Sequence, residues 1–151
     1  MTIATRPATE GDRPFLVRCF LDAVRESVTA SRGRWDEARE RTQFEAALVL
    51  DRTTIIETDA VDAGFVMIVE LPGILMIHTI AIAPAFQHRG IGSDIVRDLV
   101  NIGRQTSRDV VLSVLKTNPR AERLYARLGF VVVEESPTHR HMRFAPETPS
   151  R

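Results

Sequence analysis

The sequence predicts a mixed α/β fold: a central, twisted, mostly antiparallel sheet of about seven strands flanked by about four helices. Three observations carry this expectation. Short apolar runs bounded by Pro, Gly and Asp recur along the chain and read as strands. Four amphipathic stretches with helical spacing interrupt them, two early and two late. The resulting order is β-α-α-β-β-β-α-β-α-β-β, with turn-linked strands in the middle and helix-linked strands after them. That order calls for a mixed sheet with helices packed on its faces.

Each element has a local cause. Thr2 to Arg6 reads as the first strand. Thr9 or Asp12 can cap the next helix, with Pro14 tolerated in its first turn. Its inner face is Phe15, Leu16, Cys19, Phe20, Ala23 and Val24, and the pattern breaks at Ser31-Arg32-Gly33-Arg34. Asp36 can cap a second helix that turns Phe44, Ala47 and Leu48 inward. Thr53 to Glu57 and Ala63 to Val69 form a hairpin around Asp59 to Asp62, and Pro72-Gly73 turns the chain into Leu75 to Ile82. A strong helix follows from Ile91, with Ile95, Val96, Leu99, Val100 and Ile102 on one side. Asp109 to Leu115 is a buried-type strand. Asn118-Pro119 is a cap followed by proline at the first helical position. Ala121, Leu124, Tyr125 and Leu128 form that helix's inner face, and Gly129 fits the left-handed residue that ends it. Phe130 to Glu134 and His139 to Phe144 are the last strands. Residues 1–145 are expected to form a single domain and 146–151 a frayed tail.

Bulk properties exclude several classes. The chain has 151 residues, 20 basic and 20 acidic, so there is no global electrostatic case for nucleic acid or an anionic membrane. No run approaches transmembrane length and no basic-then-apolar leader is visible, so the expectation is a soluble, cytoplasmic protein. The single cysteine, Cys19, sits on an apolar helix face and reads as core.

The most informative stretch is Gln87-His88-Arg89-Gly90-Ile91-Gly92, between an apolar strand and a helix start. A strand, a glycine turn and a helix N-terminus make an anion site. Glycine lets backbone approach a ligand, and the first helical turn offers unpaired N–H groups at the positive end of the dipole. The lysine and hydroxyl of a Walker loop are missing. The third glycine of a dinucleotide fingerprint would fall at Ile95.

A third reading gathers more residues. Gln87-x-x-Gly90-x-Gly92, after the strand ending Ile80-Ala81-Ile82-Ala83-Pro84, resembles the acyl-CoA signature of the GNAT acetyltransferases. A second family signature follows at the right distance, Asn118-x-x-Ala121-x-x-x-Tyr125-x-x-Leu128-Gly129-Phe130. The strand order is also the GNAT order, and the resemblance covers nearly the whole chain. One departure is His88, where glycine is frequent; it should matter little if its side chain points to solvent.

The resemblance implies an N-acetyltransferase that moves an acetyl group from acetyl-CoA to a primary amine by direct attack in a ternary complex. The alternative is a non-catalytic acyl-CoA-binding module or sensor. Cofactor binding is implied for the backbone of Gln87, His88, Arg89, Gly90, Ile91, Gly92 and Ser93, and for Ile80, Ala81 and Ile82. That strand would splay from Asp109 to Leu115, leaving the Ile82 N–H as an oxyanion donor. Asn118, Ala121 and Tyr125 are implied on the other side, Tyr125 as the general acid.

For the base, His78 lies two residues before Ile80, so alternation gives it the same face as Ile80 and Ile82. Its ordinary titration range suits proton abstraction at neutral pH. Glu70, or a water chain, is the other option. His139 and His141 alternate on the last strand and border the acceptor pocket or solvent; the chemistry requires no metal. In GNAT proteins the segment between the first two strands shapes the acceptor site. Here it carries Arg25, Glu26, Arg32, Arg34 and Trp35. Trp35 reads as packing and the two loop arginines as solvated. The acceptor would be a small-molecule or peptide amine, and exposed strand edges are compatible with a homodimer.

Overall fold

The computed structural model describes residues 1–146; the expected tail lies almost wholly outside them. Its elements are β1 (Ile3–Pro7), α1 (Arg13–Arg32), α2 (Glu37–Ala47), β2 (Thr53–Thr58), β3 (Val61–Leu71), β4 (Ile74–Ile82), α3 (Ile91–Thr106), β5 (Asp109–Leu115), α4 (Pro119–Arg127), β6 (Val131–Glu135) and β7 (His139–Phe144). They form one seven-stranded sheet in the order β1-β2-β3-β4-β5-β7-β6. Every neighbouring pair is antiparallel except β4 with β5.

The helix boundaries follow their caps. Asp36 accepts the Arg39 N–H at 3.1 Å and starts α2. Asn118 accepts the Ala121 N–H at 3.3 Å, with Pro119 at the first position of α4. Gly129 takes φ +100° as the chain leaves α4. Phe130 then packs back on Tyr125, ring centroids 5.8 Å apart.

Two clusters fill the two faces. Under α1 and α2 lie Leu16, Val17, Cys19, Leu21, Phe44, Ile55, Phe65, Met67 and Ala81. Under α3 and α4 lie Val66, Leu75, Ile77, Ile91, Ile95, Val96, Leu99, Val100, Val110, Leu112 and Val114.

The sequence expectation for α1 is rotated. Val17 and Leu21 are core, while Phe20, Ala23 and Val24 border a cleft. Ala47 is exposed, because α2 ends there and Leu48 drops into the core in its place. Ile102 is 40% exposed. The buried position at that turn of α3 is Gly103, which lies against the Arg108 carbonyl oxygen.

Candidate active site

The site forms where β4 leaves the sheet. β4 and β5 pair through three residues only: Ile74 with Asp109, Leu75 with Val110 and Met76 with Val111. Beyond Met76 the ladder stops. A bulge sits at the break: Ile68 pairs with Ile77 but Met67 pairs with Thr79, so His78 is an extra residue. A bulged strand bends and twists more strongly, which turns β4 away from β5.

The same residue resets the face pattern. Leu75 and Ile77 pack in the α3-side cluster before the bulge, and Ile80 and Ile82 pack against it afterwards. The expectation that His78 shares a face with Ile80 and Ile82 assumed unbroken alternation, which the bulge interrupts. His78 stands at the kink itself, exposed, with Nδ1 2.8 Å from the Thr79 hydroxyl.

Past the bulge, the backbone of β4 divides between two sides. Ala83 donates its N–H to the Ala63 carbonyl at 2.8 Å, and the Ala81 carbonyl lies against Gly64. Both face β3. Alternation aims the N–H and C=O of Ile80 and Ile82 at the gap. The Ile82 carbonyl accepts Gln87 Nε2 there at 2.9 Å. Gln87 is thus a brace between loop and strand. Ala81 turns its backbone to β3 and its methyl into the α1-side core, so Ile80 and Ile82 alone offer polar groups to the gap.

The loop after β4 carries the second feature. His88 has φ +65° and Gly90 φ +81°. A left-handed residue here explains why glycine is frequent at the position of His88, and a side chain with φ above zero carries strain. The His88 ring accepts from Arg120 Nη1 at 2.7 Å, bridging the loop to the start of α4. Arg89 stacks its guanidinium 5.4 Å from the Phe86 ring centroid. Gly90 caps α3 without a side chain, and the first backbone bond is Asp94 N–H to the Gly90 carbonyl at 3.0 Å. The N–H groups of Ile91, Gly92 and Ser93 have no backbone partner ahead of it.

Between β4 and β5 the gap opens a cleft of about 520 Å³ that passes through the sheet. On one face it is lined by Phe20, Val24 and Ser27 of α1, and on the other by Ala121 and Tyr125 of α4. His78, Ile80, Asn118, Ser113 and His139 also border it.

A parallel pair parted by a bulge, a helix start with unpaired N–H groups beside it and a passage between the faces together define the arrangement. The model of the acetyltransferase (GNAT) family matches residues 20–130. The chain belongs to the GNAT acetyltransferase family. No curated protein matches it in sequence. Its GNAT fold is seen in solved structures that share little identity. An acetyltransferase from Corynebacterium glutamicum, described as histone acetyltransferase HPA2 and related, is 19% identical with TM-score 0.76, covering 100% of each chain. The ribosomal-protein-S18-alanine N-acetyltransferase of Escherichia coli is 16% identical with TM-score 0.73, covering 99% of this chain and 97% of that one. The PaiA N-acetyltransferase of Thermoplasma acidophilum, solved with coenzyme A, is 17% identical with TM-score 0.67, covering 96% and 99%.

Within this GNAT frame, Tyr125 and Asn118 face the same cleft from α4. Burial pushes the Tyr125 phenol up to about 12. A thiol titrates near 8.5, so full transfer of the phenolic proton to a thiolate is uphill by several kcal/mol. The hydroxyl is suited to donating a hydrogen bond to sulfur while keeping its proton.

Glu70 does not join the site. It pairs with Leu75 at the closed end of β3–β4 and forms an ion pair with Arg108 at 3.2 Å. Cys19 is core, its Sγ 3.7 Å from the Ala81 carbonyl, and burial pushes its thiol up to about 12. Trp35 packs in the α1-side cluster with Arg25 over its ring at 5.6 Å. Arg34 is exposed, while Arg32 lines the cleft.

Two features escaped the sequence reading. Ser113 on β5 lies 2.6 Å from Nδ1 of His141 on β7, an arrangement set by their cross-strand pairing. Glu40 on α2 is buried and borders the cleft. Among the described residues no three His, Cys, Asp or Glu come together as a metal site, and no helix is long and apolar enough to cross a membrane.

Proposed function

We propose that this chain, as one domain over residues 1–145, is an N-acetyltransferase that moves the acetyl group of acetyl-CoA to a primary amine in a ternary complex. The observation that carries this reading is the passage between β4 and β5, which lets a thioester and an amine approach from opposite faces of the sheet. The GNAT family uses acetyl-CoA and acetylates amine acceptors. The residues present fit that co-substrate. Free N–H groups of Ile91, Gly92 and Ser93 suit a pyrophosphate. The polar backbone of Ile80 and Ile82 suits an extended amide arm, as a further strand would.

The transfer needs a neutral amine, a stabilised oxyanion and a leaving sulfur whose negative charge is stabilised. The Ile82 N–H faces the gap and is the oxyanion donor, worth roughly 3 kcal/mol in such a role. Tyr125 donates a hydrogen bond to the departing thiolate and keeps its own proton; the thiolate is protonated by solvent. His78, at the kink beside Ile80, takes the proton of the amine directly or through water. Asn118 orders the start of α4 and presents its amide to the same space.

Calorimetry with acetyl-CoA, followed by a screen of amines read by release of free CoA, tests the proposal. Binding with amine-dependent release is expected. Binding without release across the panel would leave a non-catalytic acyl-CoA module. No binding at all would end both readings.

A further inference from the structure

Glu40 is the group that the catalytic reading leaves unused. It is 6% exposed, and its Oε1 is buried with no hydrogen-bond partner. Arg32 Nε stands 3.4 Å from that oxygen, close enough to pair but out of hydrogen-bonding geometry. Position in the first turn of α2 favours an acid electrostatically, but gives no reason to bury it. Glu40 thus has a cation beside it but no hydrogen bond to Oε1, and a buried carboxylate left short of hydrogen bonds is incompletely compensated.

Its placement is enforced. Phe44, one turn further along α2, stacks on Phe20 of α1 with centroids 4.4 Å apart and 12° between planes. That stack turns the Glu40 side of α2 toward α1 and the cleft. Gln43 beside it and Ser27 and Ser31 opposite also line the cleft, as does Arg32. The other titratable groups on the lining are Tyr125, kept protonated by burial, and His78 and His139; burial and the nearby His141 hold His139 below its ordinary range. Glu40 is therefore the only carboxylate on the cleft among the described residues.

We infer that Glu40 is the anchor for a distal ammonium, and that the acceptor is a dication: a diamine, a polyamine or a comparably basic amine. The reacting nitrogen must be neutral when it attacks, so it needs no lasting counter-charge. A fixed carboxylate is useful only to a second positive group that stays charged throughout. The methylene stem between the two nitrogens would lie along Phe20 and Val24. Arg32 holds the carboxylate loosely in the acceptor's absence and is displaced by it. This inference rests on the proposed transfer only for which nitrogen reacts; the ammonium site stands on Glu40 itself.

The test compares 1,4-diaminobutane with butylamine, which has the same stem and one charge, on the wild-type protein and on Glu40→Gln. Wild type should prefer the diamine in kcat/KM by about tenfold or more, the scale of a hydrogen bond to a charged group. Glu40→Gln should erase that preference through KM for the diamine, leaving kcat, KM for acetyl-CoA and the butylamine reaction nearly unchanged. Glu40→Asp should retain part of the preference. Glu40→Gln removes a buried charge, so its melting midpoint should be equal or higher, which separates lost recognition from lost folding. Calorimetric titration of 1,4-diaminobutane into protein holding CoA gives a readout without turnover. Diamine binding lost in Glu40→Gln, with no acetylation of any amine, would keep the ammonium site and end the transferase reading. Acetylation with an unchanged diamine preference in Glu40→Gln, or a fall in kcat for both amines alike, would overturn the inference.

Discussion

The two ends of β4 are the same strand put to opposite uses. From Ile74 to Met76 it is bonded to β3 on one side and β5 on the other. From Ile80 to Ile82 it is bonded to β3 alone, and its second row of polar groups faces the cleft. The one extra residue at His78 separates the two regimes. A glycine makes a close approach near each end, one to β5 beside the bonded end and one to the free end of β4 itself. Gly103 of α3 lies under the start of β5, where a Cβ would come within 2.8 Å of the Arg108 carbonyl oxygen. Gly64 of β3 lies under the free end, where a Cβ would press on the Ala81 carbonyl and stand 2.9 Å from Ile82 Cδ1. Backbone groups withheld from the sheet at one end are left available to a ligand there, while the complete ladder at the other end holds the geometry still.

The largest effect should come from the chemistry at the open end. Tyr125→Phe keeps the ring contact with Phe130 and removes only the hydroxyl. Turnover with a competent amine should fall by about a hundredfold, the lower range for a lost hydrogen bond to charge that develops in the transition state, while KM for acetyl-CoA changes little. Steady-state kinetics decide it, and an unchanged kcat would take Tyr125 out of the mechanism.

The glycine pair then tests the comparison directly. Gly64→Ala and Gly103→Ala should each lower stability, by roughly 1–3 kcal/mol for overpacking, or about 2–4 °C per kcal/mol in a chain of this size. Gly103→Ala should show the smaller loss, because alanine is the better helix former by about 1 kcal/mol. Only Gly64→Ala should weaken acetyl-CoA, by about tenfold, since its Cβ shifts the backbone of Ala81 and Ile82. Equal loss of affinity in both variants would mean that the two ends are not functionally distinct.

How much of this was legible follows from what each feature depends on. Caps at Asp36 and Asn118, the glycine turn at Gly90 and the core stripe of α3 are local, and the sequence carries them within a few residues. The bulge at His78 depends on the register between β3 and β4, which no residue in Ile77-His78-Thr79 announces. Ser113 meets His141 only because β7 inserts between β5 and β6. Glu40 lies in Glu37-Ala38-Arg39-Glu40-Arg41, which reads as a solvated surface; its burial comes from the Phe44–Phe20 stack between helices. Paired motifs pointed to the family, which the family model shows, while the lining of the cleft from α1 and α2 is assembled from long-range contacts.

The smallest effect belongs to the edge of the sheet furthest from the cleft. Arg6 on β1 holds Asp12 through two hydrogen bonds of 2.9 Å, and also pairs with Glu57 at 2.8 Å and Asp62 at 3.1 Å. Those Arg6 bonds, and then the Thr9 N–H, keep the Asp12 carboxyl well below the usual carboxylate range. Its folded value lies below its unfolded value of about 3.9, so its stabilisation is complete above that pH and is lost as pH falls toward the folded value. Asp12→Asn should therefore cost about 1 kcal/mol at pH 7, a modest figure because Arg6 is about one-third exposed and keeps two other carboxylates. In thermal unfolding the gap between wild type and variant should narrow progressively below about pH 4. Acetyl-CoA affinity should not move, since β1 and β2 form a closed ladder and contribute no residue to the cleft. A gap that stays constant from pH 7 to pH 2 would show that Asp12 acts through packing at the start of α1 rather than through its charge.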